Sequence, residues 1–122
     1  MSDNFLRIAR KEIHEELDAL GQILTRCGND VDISNNAQSI EKHLHKIKGL
    51  APMMGQNDVG EIAKMTDTIL KSVIVNGILK GTYQILIESN LVMKEVFIGS
   101  DTKNATELKN KLRQAYHDVI RE

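Results

Sequence analysis

Cysteine, proline and aromatic residues are scarce in this chain, and each shortage excludes something. Cys27 is the only cysteine, so neither an internal disulfide nor a zinc site built on several thiolates can form. Aromatic residues make up 3% of the chain, which argues against a β-sandwich and favours amphipathic helices. No apolar run approaches the length of about 18 residues that a transmembrane helix needs. We therefore expect a cytoplasmic protein with no membrane partner.

Charge of one sign is not in excess either. The chain has 16 lysines and arginines against 17 aspartates and glutamates. Without a bulk positive field there is no electrostatic reason to expect a nucleic-acid partner, and any basic site must be local. The length suits a single domain covering residues 1–122, which we expect to be a monomer.

What the chain does have is a series of apolar stripes with three- and four-residue steps, the spacing of one face of an α-helix. Short connections between long helices favour antiparallel neighbours. The predicted fold class is therefore all-α, an antiparallel up-down four-helix bundle with an additional helix, about five helices in total. The predicted helices run from Leu6 to Cys27, from a cap at Ser34 to near Gly55, from Val59 to Asn76, from Thr82 to Ile98, and from Asp101 or Thr102 to Val119.

Two segments next to the second predicted helix carry their own predictions. The stretch NDVDISNN, residues 29–36, is interpreted as a polar connection after the first helix. Pro52 lacks a backbone N–H and therefore predicts a bend in the second helix, just beyond its histidines.

The two histidines of the second predicted helix face different ways. On a helical wheel, His45 lies roughly 140° from the centre of the apolar stripe and Gly49 roughly 180° from it, so both are predicted to be exposed. Lys48 lies at the border, roughly 80° from the centre. His43 lies only about 60° from the centre and is predicted to be a partly buried structural histidine.

Gly49 weakens this helix by on the order of 1 kcal/mol relative to alanine, so its presence needs a reason. Lacking a side chain, it lets another molecule approach the imidazole of His45, and Lys48 can meet a phosphoryl group with positive charge. A neutral imidazole is a competent nucleophile near neutral pH. The alternative is that His45 is one more solvated surface histidine and that Gly49 is tolerated.

His45, Lys48, Gly49 and Gly55 form the pattern H-x-x-K-G followed six residues later by G. With its surrounding helices, this pattern resembles the histidine phosphotransfer (HPt) domain over nearly the whole chain. It looks most similar to the N-terminal phosphotransfer domain of the chemotaxis kinase CheA. The resemblance implies a phosphocarrier of a two-component phosphorelay or chemotaxis pathway. It also implies that His45 carries the phosphoryl group on Nε2. In the same resemblance, Lys48 is the partner of the phosphoryl anion, and Gly49 leaves room for another molecule to approach the imidazole.

The same resemblance implies an acidic residue on the next helix that accepts a hydrogen bond from the imidazole Nδ1, and this position falls on Asp67. Such a carboxylate would fix the tautomer and leave Nε2 free to attack. The chain departs from the family pattern here, since the family has the longer Glu at this position and often a His where Lys64 stands. Asp67 and Lys64 are the candidate imidazole-orienting residues. The alternative is that Asp67 is a solvated residue that pairs with Lys64 on the same helix.

The sequence contains no glycine-rich ATP motif and no acidic cluster for magnesium, so we expect no kinase activity and no cofactor bound by this chain. We infer a carrier that a histidine kinase ATP-binding domain or a phosphorylated receiver domain loads, and from which the aspartate of a response-regulator receiver domain removes the phosphoryl group. Magnesium is expected in these partners. The predicted partner surface comprises Gln38, Lys42, Gly49, Pro52 and Met53.

Two other classes of protein fit the sequence less well. Di-iron bundles need Glu-x-x-His pairs, and none of the four histidines has a glutamate three positions before it. The zinc-binding spacing His-x-x-x-His is also missing, so no metal site is expected. An adaptor bundle that binds signalling partners without carrying phosphate is the alternative function, although it has no need for His45, Lys48 and Gly49 together.

Overall fold

The computed structural model of the protein describes residues 2–99 and 102–121, and the regular structure in these two ranges is helical, without a β-strand. The elements are α1 (Asp3–Thr25), α2 (Asp30–Asn35), α3 (Ala37–Leu50), a 3₁₀ turn (Pro52–Met54), α4 (Asn57–Asn76), α5 (Thr82–Phe97) and α6 (Lys103–Ala115). In the same ranges, no helix combines the length and the apolarity needed to cross a membrane.

Four helices, α1, α3, α4 and α5, form a closed ring in which each packs against two neighbours. Helices α1 and α5 are antiparallel, because Arg10 near the start of α1 donates a 3.4 Å hydrogen bond to the carbonyl of Phe97 at the end of α5. Further along, the Asn90 amide donates to the carbonyl of Leu17 at 3.1 Å. The predicted antiparallel four-helix bundle with an additional helix is confirmed. Helix α6 is that additional helix, and within the described residues α2 is the helix that the sequence analysis does not predict.

The apolar stripes of the bundle helices meet in one hydrophobic core. In α3 the predicted stripe is confirmed, since Ile40, Leu44 and Ile47 are fully buried. These three side chains fix the rotation of α3 about its own axis, because turning the helix would expose them to water. The residues between them are thereby held on the outer side of the helix.

Helix α2 corrects the sequence analysis, which predicts a polar connection at NDVDISNN. Instead, Asp30–Asn35 form a short helix whose N-cap, Asn29, accepts a hydrogen bond from a backbone N–H of the first turn. Ser34 lies inside this helix and does not cap α3, whose N-cap position is occupied by Asn36. The prediction is wrong because a six-residue helix is too short to show an apolar period.

Helix α3 ends earlier than the sequence predicts. It ends at Leu50, and Pro52 begins a 3₁₀ turn instead of bending a helix that continues. Gly55 completes the reversal with φ at 74°, a left-handed conformation that favours glycine. The Pro52 ring packs on Gly60 of α4, where an added Cβ would lie 3.0 Å from Pro52 Cγ. This contact seats the end of α3 closely against α4.

Helix α6 packs on the outside of the ring, against α4 and α5. Its Lys109 is only 9% exposed and donates hydrogen bonds to Asp58 at 2.7 Å and to Glu61 at 3.1 Å. Burial by itself would lower the pKa of Lys109, but these two carboxylates outweigh it and raise the pKa. The ion pairs fasten α6 to the first turns of α4.

The bounds of α6 differ from the prediction at the C-terminal end. The N-cap position is Thr102, one of the two predicted starts, while Asp101 lies outside the described residues. The helix ends at Ala115, so Val119 lies beyond it, although Val119 still packs against the core.

Candidate functional site

Helix α3 presents His43 and His45 to different surroundings, because two residues along a helix correspond to roughly 200° of rotation. The His45 side chain is 59% exposed, whereas that of His43 is 22% exposed. Both predictions from the helical wheel are confirmed, namely an exposed His45 and a partly buried His43.

Nitrogen Nδ1 of His45 faces two carboxyl groups. Asp67 Oδ2 on α4 lies 3.5 Å from it, and Glu41 Oε2, one turn earlier on α3, lies 3.8 Å from it. The shorter distance slightly exceeds that of a standard hydrogen bond. Among the residues that the structure describes, none forms a hydrogen bond or ion pair with Nε2. Nε2 is therefore the unpartnered nitrogen of an exposed imidazole.

Asp67 is a buried carboxylate, 1% exposed, that gathers two ammonium groups. Its Oδ2 lies 3.3 Å from Lys48 Nζ and 3.2 Å from Lys71 Nζ. Burial by itself would raise the pKa of Asp67, but its interactions with Glu41 and with the two lysines outweigh it and lower the pKa. Asp67 is therefore held in its charged form beside His45.

Glu41 and Lys71 belong to this site, although the sequence analysis does not single them out as site residues. The side chain of Glu41 is 21% exposed. The approach of the Asp67 carboxyl is the largest cause of a raised pKa of Glu41, and burial and the negative charge of Asp67 add to it. Helical spacing in the sequence could have pointed to both residues, because Glu41 lies one turn before His45 and Lys71 lies one turn after Asp67.

The surface next to His45 is open at Gly49, as the sequence predicts. A Cβ built on Gly49 would have no other atom within 4 Å. Met53 adds an apolar side chain that is 47% exposed. All members of the predicted partner surface are exposed: Gln38, Lys42, Gly49, Pro52 and Met53.

Lys64, by contrast, is not brought to the imidazole. It is exposed and lines a groove between α3 and α4 together with Lys48. Asp67 is buried and its recorded lysine partners are Lys48 and Lys71. The alternative interpretation, a solvated Asp67 paired with Lys64, is therefore wrong. Its physical flaw is that it considers one helix alone, whereas Asp67 points into the contact between two helices.

His43 lies on the opposite side of α3 and is engaged by α1. Its Nδ1 forms a short hydrogen bond with Glu16 Oε2, and Lys46 Nζ lies 3.3 Å from the other oxygen of Glu16. Glu16 is only 9% exposed, so the two α3 residues supply the partners that a buried carboxylate needs. His43 thus has a structural role.

The two remaining histidines are exposed but differently placed. The side chains of His14 and His117 are 64% and 75% exposed. Each uses Nε2 to contact a nearby carboxylate, Asp18 at 3.3 Å and Asp118 at 3.1 Å. His45 differs from both because Nδ1 is the engaged nitrogen and because a buried carboxylate from another helix engages it.

The donor atoms around His45 also have the spacing of a cation site. One donor atom each of Glu41, His45 and Asp67 lies within 4.8 Å of the others. Two lysine ammonium groups already occupy Oδ2 of Asp67, and a divalent cation would have to displace them against their positive charge. The charge balance therefore favours the lysines over a metal ion.

Comparisons of the chain with protein-family models, with curated proteins and with solved structures find no match. The indications of function are therefore the site around His45 and the resemblance of its sequence pattern.

Proposed function

We propose that this protein is a histidine phosphotransfer domain that carries a phosphoryl group on Nε2 of His45. The observation that supports it best is the pairing of an exposed imidazole with a buried carboxylate through Nδ1, which leaves Nε2 open. A carboxylate at Nδ1 favours the tautomer whose proton sits on Nδ1, and that tautomer has its lone pair on Nε2. A surface histidine without a function needs no such partner.

In the forward step, the Nε2 lone pair attacks the γ-phosphorus of ATP that a partner kinase holds. The N–P bond forms while the bond from the γ-phosphorus to the β,γ-bridging oxygen breaks, and ADP leaves. The ring is positively charged as long as the proton stays on Nδ1, and Asp67 stabilises that charge. In the return step, a receiver aspartate oxygen attacks phosphorus and the N–P bond breaks.

Two features of the chain would assist this transfer. Lys48 and Lys71 lie close enough to Asp67 that either ammonium group can turn towards a phosphoryl group near the imidazole. Gly49 leaves room for the catalytic groups of a partner. Magnesium and the nucleotide would be supplied by the kinase and receiver domains, and this chain acts as a monomeric cytoplasmic carrier.

The test is phosphoryl transfer from a CheA-type kinase core with labelled ATP, and from a labelled phospho-receiver, to the wild type and to His45→Gln. Acid-labile, base-stable label that disappears with His45→Gln is expected, because phosphohistidine has that stability. His43→Gln is the matched control, since glutamine can still donate a hydrogen bond to Glu16. His14→Gln and His117→Gln control for exposure alone.

Label that persists in His45→Gln would refute the site. Label lost equally in His14→Gln or His117→Gln would show that exposure, and not the Asp67 contact, governs the reaction. If no donor labels the wild type, phosphoramidate, a small donor that needs no protein recognition, separates an inert imidazole from a mismatched partner. An imidazole that phosphoramidate also leaves unlabelled would favour the adaptor function.

A further inference from the structure

The two oxygens of Asp67 have different surroundings. Oδ2 meets both lysines and His45, but Oδ1 is buried and has no hydrogen-bond partner within the described residues. A buried acceptor without a donor costs about 1–3 kcal/mol. A donor beside Asp67 would remove that cost.

Glu41 can supply that donor if it carries a proton. A carboxylic acid donates one O–H hydrogen bond, whereas a carboxylate donates none. Glu41 and Asp67 each place an oxygen within 4.8 Å of the other and of a ring nitrogen of His45. The approach of Asp67 is also the largest cause of the raised pKa of Glu41, which favours its acid form. Two carboxyl groups that lie close together can share one proton.

We propose that Glu41 is a positioning residue for His45, which as a carboxylic acid donates a hydrogen bond to Asp67 and holds that carboxylate against the imidazole Nδ1. Its effect on phosphoryl transfer rests on the proposed function, while its effect on the imidazole does not. Glu41 also compensates for the short side chain of Asp67, which reaches Nδ1 only at 3.5 Å.

The hydrogen bond from Glu41 to Asp67 depends on pH. Below the raised pKa of Glu41 the proton is present, and Asp67 is held in place. Above it, Glu41 ionises, the donor is lost, and two negative charges face each other beside the ring. The charged groups that face Glu41 are Asp67 and Lys71 on α4 and His45 on α3. On α1, Glu16 is paired with other side chains.

The first experiment follows the two side chains directly by NMR, with a chelator present so that no cation replaces the proton. Carboxyl ¹³C and imidazole ¹⁵N shifts are recorded against pH for the wild type, Glu41→Gln and Glu41→Ala. Glu41 should titrate above the value of about 4.3 for a free glutamate. The His45 nitrogens should show an inflection at the same pH, which Glu41→Gln abolishes. Glu41→Ala should shift the neutral ring towards the Nε2–H tautomer.

The second experiment measures phosphoryl acceptance by the same variants. Glu41→Ala should slow it by about tenfold, the lower end for groups that orient a functional ligand indirectly. Glu41→Gln should recover most of that loss, because its amide still donates to Asp67. Glu107→Ala, an exposed glutamate on α6, is the control for charge removal.

Opposite results would overturn the proposal. A Glu41 that titrates at or below the free value, or His45 resonances that ignore Glu41→Ala, would show that no proton links the two residues. Equal rates for Glu41→Gln and Glu41→Ala would show that the donor is irrelevant. If the wild type accepts no phosphoryl group at all, the proposed function fails, but the NMR titration still decides the positioning role.

Discussion

The two sides of α3 hold the same side chain in opposite circumstances. On the α1 side, His43 is 22% exposed and closes a buried contact with Glu16. On the α4 side, His45 is 59% exposed and meets the buried Asp67 only at its edge. Both imidazoles use Nδ1 towards a carboxylate from a neighbouring helix, so the contact atom does not distinguish them. The difference lies in what happens to the rest of the ring.

This comparison shows how one helix can carry one histidine that contributes to the fold and another that stays accessible. His43, which is mostly covered, contributes its hydrogen bond to the fold. His45 keeps more than half of its side chain exposed. The following predictions alter one side at a time.

The largest effect is expected from His43→Ala, which removes the donor that faces a carboxylate only 9% exposed. The free energy of unfolding should fall by about 2 kcal/mol, because Oε2 of Glu16 loses the donor that His43 supplies, while Lys46 stays paired with Oε1. His45→Ala should change it by less than about 0.5 kcal/mol, as for most exposed positions. Urea unfolding of both variants measures the difference, and equal losses would contradict the division between the two sides.

The next effect concerns the lysines of α3. Lys48→Gln removes an ammonium group 3.3 Å from Asp67 and should slow phosphoryl acceptance by about tenfold, equivalent to about 1.4 kcal/mol in the barrier. Lys46→Gln is the matched control, since Lys46 pairs with Glu16 on the other side. A kinase-core assay compares them. Equal slowing would mean that the general positive charge of α3 matters and the contact with Asp67 does not.

Two glycines beside the site should respond to alanine with opposite signs. Gly49→Ala should raise the free energy of unfolding by about 1 kcal/mol, because the helix gains propensity and the added Cβ meets nothing within 4 Å. Gly60→Ala should lower it by about 1 kcal/mol, since the Cβ would press on the Pro52 ring at 3.0 Å and this overpacking outweighs the same gain in helix propensity. Thermal or urea unfolding gives both signs, and stabilisation by both substitutions would show that the Pro52 contact yields easily.

The smallest effect is a pH dependence on the α4 side. Because the pKa of Asp67 is lowered on folding, Asp67 contributes stability above the unfolded value of about 3.9, and that contribution is lost as the pH falls through the folded value. Asp67→Asn should therefore flatten the acid part of the curve of unfolding free energy against pH. Asp118→Asn, at a side chain 88% exposed, should leave the curve as it is. Identical curves for the wild type and Asp67→Asn would contradict the lowered pKa.

The four bundle helices could be predicted from the sequence because each carries an apolar stripe long enough to show its period. The same stripe in α3 placed His43 and His45 correctly, since their exposure depends on one helix alone. Helix α2 could not be predicted, because six residues are too few to show an apolar period. Pro52 was expected to bend α3, yet its ring fits against Gly60 and the chain leaves the helix there.

The contacts of the candidate site were harder to predict, since they depend on how α3 and α4 are rotated against each other. The resemblance pointed to Asp67, but its burial and its pairing with Lys71 follow only from the packed helices. Lys64 was selected by its position in a family pattern, and the local helix geometry turns it away. The position of Glu41, one turn before His45, predicts that the two side chains are neighbours. On a helical wheel, however, Glu41 is only one of several outward residues and is not singled out.

The contact between His43 and Glu16 also limits the rotation of α3 about its own axis. The buried apolar side chains of α3 set its approximate rotation, but they still allow the helix to rock by small angles about its long axis, because apolar contacts are not directional. A hydrogen bond on its flank removes that freedom, and α1 supplies it at Glu16. Since all residues of a rigid helix turn together, the contact with Glu16 also fixes the direction in which the His45 side chain points on the opposite side of α3. The structural histidine thereby helps to orient His45, across the width of a helix, without touching it.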